Sequence, residues 1–211
     1  MSDTEKDLLE GQTVAIIGAG SMGGSIARGL VESGALPGEQ VLVCDHNPGK
    51  LAALAQQAGV RTFSSSAEML AEKPGIVVLA VKPQVLAAVL EQHAADLDGA
   101  LVVSIAAGVT LATLEAALPG ARVVRVMPNL PVSVRSGASA ITGGASAGEA
   151  DVATVQALFA TLGSARSGAR SSSTPRVRSW AVRRPTSPSW STPSRAPASA
   201  RACAPRTPAR W

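Results

Sequence analysis

The sequence predicts an α/β fold, a doubly wound and mostly parallel sheet, on three observations. Short apolar runs alternate with amphipathic stretches from the start to about residue 163, the order expected of repeated strand–helix units. The runs are β-branched and almost continuously apolar, as strands are when helices cover both faces of a sheet. The first strand–helix junction carries three glycines at the spacing G-x-G-x-x-G. Beyond residue 163 neither pattern continues.

The expected strands are Thr13–Ile17, Gln40–Cys44, Gly75–Val81, Ala100–Ser104 and Ala121–Val126. Each is bounded by Gly, Pro or charge. Shorter ones are expected at Val60–Phe63 and Ala138–Thr142. Helical stretches fall between them at Met22–Ser33, Gly49–Ala58, Gln84–Ala95 and Leu111–Leu118. In Asp151–Leu162 the residues Val152, Val155, Leu158, Phe159 and Leu162 recur at helical spacing.

The junction AIIGAGSMGGSIARGL holds the strongest local chemistry. Gly18 permits a tight turn, Gly20 lets a pyrophosphate approach the backbone, and Gly23 allows close helix packing. The following helix start offers free N–H groups and a positive dipole end to phosphates. Three glycines alone serve packing in many turns, but here a strand precedes them and a helix follows. The context therefore points to a dinucleotide, and to a Rossmann-type sheet. Asp45 ends the second strand at about the spacing of a ribose-binding acid. Two other readings stand beside that one: His46, Asn47 and Lys50 could receive a 2′-phosphate, or Asp45 could cap the next helix. NAD and NADP both remain open.

Charge and composition exclude several classes. Residues 1–163 carry nine Lys and Arg against fifteen acids, a net of −6, whereas Ser164–Trp211 carries ten Arg and no acid. The cysteines, Cys44 and Cys203, imply no disulfide framework. The opening MSDTEKDLLEGQ is unlike a signal peptide, and no uninterrupted apolar run reaches membrane-spanning length. The expected compartment is the cytoplasm. His46 and His93 lack companions at metal-ligand spacing, so no metal is expected, and His93 is assigned to a solvated helix face. No Ser/His/Asp arrangement stands out. A cofactor that supplies the chemistry fits this inventory.

Three later stretches lie at carboxyl ends of expected strands, where open α/β sheets bind ligands. They are VLAVKPQ at Val78–Gln84, VVSIAAGVTL at Val102–Leu111 and RVMPNLP at Arg125–Pro131. The small residues Ala106, Ala107 and Gly108 would let a flat nicotinamide approach the backbone. Asn129 is placed to bind an amide or a water. Ordinary loop packing accounts for each stretch taken alone.

Together with the glycine turn, these blocks resemble pyrroline-5-carboxylate reductase, in its order and at its spacing, from about Thr13 to about Gly163. Two positions depart from the family's pattern. Leu130 stands where Thr is usual, and Asp45 where an acid is usually lacking. The resemblance implies hydride transfer from NADPH or NADH to the C=N bond of 1-pyrroline-5-carboxylate, giving L-proline. It implies that Ile17, Gly18, Ala19, Gly20, Ser21 and Met22 line the pyrophosphate. Ala80, Val81, Lys82 and Pro83 would border the ribose and nicotinamide, and Ile105, Ala106 and Ala107 would flank the nicotinamide. It further implies a helical C-terminal domain that forms homo-oligomers and holds the substrate, and the catalytic residues are expected there.

That domain is not recognisable after Gly163. Ser164–Trp211 is built from Ser, Arg, Pro and Ala, with all three Trp and seven prolines. A nucleic-acid-binding arm, a disordered linker and an out-of-frame translation compete as explanations. The last is preferred, because GC-rich codons read out of frame yield these residues and the change falls where the resemblance stops. The expectation is a nucleotide-binding domain over residues 1–163 and a disordered tail over 164–211. Such a chain binds cofactor with weak reduction or none; the alternative function is dinucleotide binding without turnover.

Overall fold

The fold is built from residues 7–128 and 137–168, which are those the computed structural model describes. Strand β1 (Val14–Ile17) pairs in parallel with β2 (Val41–Cys44) on one side and β4 (Ile76–Leu79) on the other. Beyond β2 lies β3 (Arg61–Phe63); beyond β4 lie β5 (Leu101–Ser104) and β6 (Arg122–Pro128), all parallel. Strand β7 (Gly137–Gly143) then pairs antiparallel to β6, and β8 (Gly163–Ser167) runs parallel to β7 at the edge. The order is therefore β3-β2-β1-β4-β5-β6-β7-β8. The mostly parallel, doubly wound sheet expected from the sequence is what forms.

The strands are apolar throughout because both faces are covered. Val14 and Ile16 of β1 join one core with Ile26 and Leu30 of α1 (Ser21–Glu32), Leu51 and Leu54 of α2 (Pro48–Ala58), and Leu158 and Phe159 of α6 (Glu149–Ala160). Ala15 and Ile17 join the other core. There they meet Met69 and Leu70 of α3 (Ser66–Ala71), Leu86 and Leu90 of α4 (Pro83–His93), and Leu114 of α5 (Leu111–Ala117). Alternate residues of one strand thus serve opposite layers.

Local chemistry sets the helix starts. Asn47 accepts the Lys50 N–H at 3.2 Å and Pro48 follows at the first helical position. Ser65 and Thr110 cap α3 and α5 in the same way. Asp45 is therefore not the cap of α2, as one reading of the sequence had it.

Two elements were not legible in the sequence. Helix α3 has six residues, too few for periodicity to show, although Ser65-x-x-Glu68 is a capping-box pattern. Strand β8 is polar and mostly exposed, yet Ala138 pairs with Ser164 and Ile141 with Ser167. The sheet thus takes in Ser164–Ser167, which the sequence reading assigns to the tail. The rest of the tail, from Ala169, lies outside the described residues. No described helix is long and apolar enough to cross a membrane.

Asp151 fastens the antiparallel end of the sheet. Its carboxylate accepts the Gly148 N–H at 2.9 Å at the start of α6 and pairs with Arg122 of β6, which also donates to the Gly99 carbonyl. Asp151→Ala is expected to destabilise the chain by about 2 kcal/mol, because a cap and a charged hydrogen bond are lost together. Urea unfolding should show a lower midpoint at unchanged slope.

Candidate functional site: the carboxyl edge of the sheet

After β1 the chain winds outward through β2 and β3, then returns to place β4 on the other side of β1. A crevice forms at such a reversal, outside the carboxyl ends of the strands. The glycine turn lies there. Gly18 donates its N–H to the Cys44 carbonyl at 2.7 Å, and Ala80 donates to the Ile17 carbonyl at 2.9 Å. The turns after β1, β2 and β4 are thereby tied together.

The three glycines do different things. Gly18 has φ +108°, and a Cβ on it would lie 2.7 Å from the Ala80 carbonyl oxygen. A Cβ on Gly23 would lie 1.9 Å from the Gly18 oxygen, so α1 rests on the turn with no space for a methyl. Gly20 has no atom within 4 Å of its would-be Cβ. Two glycines are required by the protein's own packing, and the third faces open space.

Helix α1 begins directly behind Gly20 with no side-chain cap. Its first intrahelical bond runs from the Gly24 N–H to the Gly20 carbonyl, at 2.8 Å. The N–H groups of Ser21, Met22 and Gly23 precede it and have no intrahelical acceptor.

Asp45 is turned inward, its side chain only 6% exposed. One carboxylate oxygen accepts the Ala19 N–H at 2.8 Å and the other the Asn47 N–H at 2.9 Å. Lys50 Nζ lies 3.8 Å from it and His46 Nδ1 3.3 Å, the lysine about half exposed and the histidine in solvent. Beside it, Cys44 is a buried free thiol; burial, then the charges of Asp45 and Glu68, push its pKa up.

The other expected residues gather at the same edge. Ala80 and Val81 are half-buried, while Lys82 and Pro83 are exposed at the start of α4. The Ile105 N–H donates to the Leu79 carbonyl at 3.3 Å, Ala106 is buried, and Ala107 is exposed. Val85 and Met127, the exposed large apolar side chains among the described residues, sit in the first turn of α4 and near the end of β6. Arg125 pairs in register with Ser104 and Thr142, and its Nε is buried without a hydrogen-bond partner. Sequence reading did not single it out. Asn129 and Leu130 lie outside the described residues.

His93 corrects the sequence reading, which put it in solvent. It is 1% exposed, with Nε2 2.7 Å from Ser66 Oγ and Nδ1 2.9 Å from Asp96 Oδ2. A Ser–His–Asp chain that the sequence did not reveal therefore exists. Its burial is inverted for nucleophilic work: the histidine is enclosed while the acid is half in solvent. It fastens the start of α3 to the end of α4. The signal was present, since Leu86, Leu90 and His93 fall on one helix face.

Comparison with known proteins finds relatives of this region. Residues 13–108 match the family described as NADP oxidoreductase coenzyme F420-dependent. The chain is 38% identical over 159 residues to the pyrroline-5-carboxylate reductase of Methanosarcina acetivorans, covering 74% of this chain and 58% of that one. To the Escherichia coli K12 enzyme of the same name it is 41% identical over 155 residues, covering 72% and 57%. A solved pyrroline-5-carboxylate reductase from Coxiella burnetii superimposes with a TM-score of 0.71 at 30% identity, covering 75% of this chain and 59% of that one. The N-terminal region is similar to pyrroline-5-carboxylate reductases in sequence and in fold. The chain spans a little under three fifths of the length of these reductases.

Two outcomes test the geometry. Gly23→Ala should cost about 2 kcal/mol or more, and Gly20→Ala within about 0.5 kcal/mol, since only the first drives a methyl into backbone; urea titration of both variants decides it. In a Cys203→Ser background, Cys44 should resist iodoacetamide at pH 8 in the native chain and react once unfolded. Its raised pKa delays the reactive thiolate to higher pH, and burial blocks access.

Proposed function

We propose that this region is the nucleotide-binding half of a pyrroline-5-carboxylate reductase, holding NADP or NAD across the carboxyl edge of the sheet. The observation that carries the reading is the uncapped start of α1 behind Gly20. That glycine faces open space, while its neighbours Gly18 and Gly23 are packed against protein. A turn serving packing alone would not need the third glycine. The cradle thus fits a pyrophosphate, with the N–H groups of Ser21 and Met22 and the helix dipole directed at its charge.

When bound, the dinucleotide supplies a hydride from nicotinamide C4 to the imine carbon of 1-pyrroline-5-carboxylate, and a proton goes to the nitrogen. The protein's part is placement. Ile17 to Met22 would hold the pyrophosphate, Ala80 to Pro83 would border the ribose and nicotinamide, and Ile105 to Ala107 would flank the ring. Asn129, outside the described residues, keeps its proposed part of binding an amide or a water. Fixing one reactant against a rigid sheet lowers the entropic part of the barrier. The similarity to named reductases supports the substrate; assembly into a homo-oligomer is proposed from the family resemblance alone. The free thiol of Cys44 suits a reducing compartment, and the cytoplasm is the proposed one.

Gly20→Val is the direct test. A branched side chain there enters the cradle from a Cβ with no protein atom within 4 Å. Calorimetric titration with NADPH and NADH should show at least about tenfold weaker binding, or about 1.4 kcal/mol. Equal affinities for variant and parent would remove the assignment.

A further inference from the structure

We propose that Asp45 is the positioning residue of the phosphate-binding turn and not a ligand of the ribose. The inference rests on the dinucleotide reading above and departs from the usual part of an acid at this place in the fold. A ribose-binding acid presents its carboxylate to the crevice. Here the side chain is 6% exposed, and both oxygens are engaged by backbone N–H groups, Ala19 at 2.8 Å and Asn47 at 2.9 Å.

The position follows from register. Ile17 of β1 stands opposite Cys44 of β2, so the residues that follow, Gly18–Ala19 and Asp45, leave the sheet side by side. The Gly18 N–H is already held by the Cys44 carbonyl at 2.7 Å, and Asp45 takes the next free donor of the same turn. One carboxylate thus joins the turn after β1 to the turn after β2. The bond also withdraws the Ala19 N–H from any ligand and leaves the anion to the first turn of α1. Hydrogen bonds to an ionised acceptor are stronger than neutral ones, which suits a fastening that must outlast ligand exchange.

With the acid turned away, the groups facing solvent beside it are His46, 94% exposed at the side chain, and Lys50, 47% exposed. The charge that would repel a 2′-phosphate is enclosed, and discrimination between the two dinucleotides passes to these neighbours.

Asp45→Asn and Asp45→Glu in the full chain separate the roles. The side-chain amide of the Asn variant cannot accept both N–H groups, and the Glu variant keeps the charge while displacing it by a methylene. As a positioning residue, Asp45 gives variants that bind NADPH and NADH about tenfold or more weakly, by the same factor for each. The Ala19 amide of the cofactor-free Asn variant should exchange with solvent about tenfold or more faster than in the parent. Loss of NADH binding alone, with NADPH unchanged or tighter, would overturn the proposal, as would NADH affinity fully kept by the Glu variant. An unchanged Ala19 exchange rate would overturn it as well. That last measurement needs no ligand, so a parent chain that bound neither dinucleotide would remove the proposed function while leaving Asp45 still decided.

Discussion

The close approach of Gly18 to the Ala80 carbonyl is the contact on which the rest of the carboxyl edge depends. It lets the chain turn sharply after β1 although β4 ends immediately beside it. Helix α1 settles on that turn only because Gly23 also lacks a side chain. Without these approaches the helix start would ride higher above the sheet, and its free N–H groups would no longer lie over the strand ends. The edge is therefore shaped by missing atoms, and the polar groups around it take up what the backbone leaves.

Sequence reading recovers the parts that are local. The glycine spacing and the continuous apolar strands are set by residues close together in the chain; the caps at Asn47, Ser65 and Thr110 are equally local but were not read. The orientation of Asp45 is not local. It follows from the pairing of β1 with β2, which brings a carboxylate to an amide 26 positions earlier. From the sequence a ribose ligand, a helix cap and a structural acid look the same.

His93 illustrates a different loss. The helical pattern of Leu86 and Leu90 already pointed at it, but residue type outweighed position in the reading. What made burial tolerable was Ser66 on a helix too short to be seen. Strand β8 was missed for the converse reason. Pairing with β7 supplies its backbone hydrogen bonds, so a sequence of Gly, Ser, Ala and Arg suffices at an edge where side chains meet solvent.

The reversal of direction between β6 and β7 sets where the chain leaves the sheet. Because β8 is parallel to β7, it starts beside Gly137, beyond the carboxyl ends of the parallel strands, and finishes beside Ile141, opposite Val126 and one residue past the level of Ser104. Residue 168 therefore stands level with Ile17, Leu79 and Ser104, the carboxyl ends of β1, β4 and β5. What separates that point from the glycine turn is lateral, five strand spacings from β8 to β1 or roughly 24 Å.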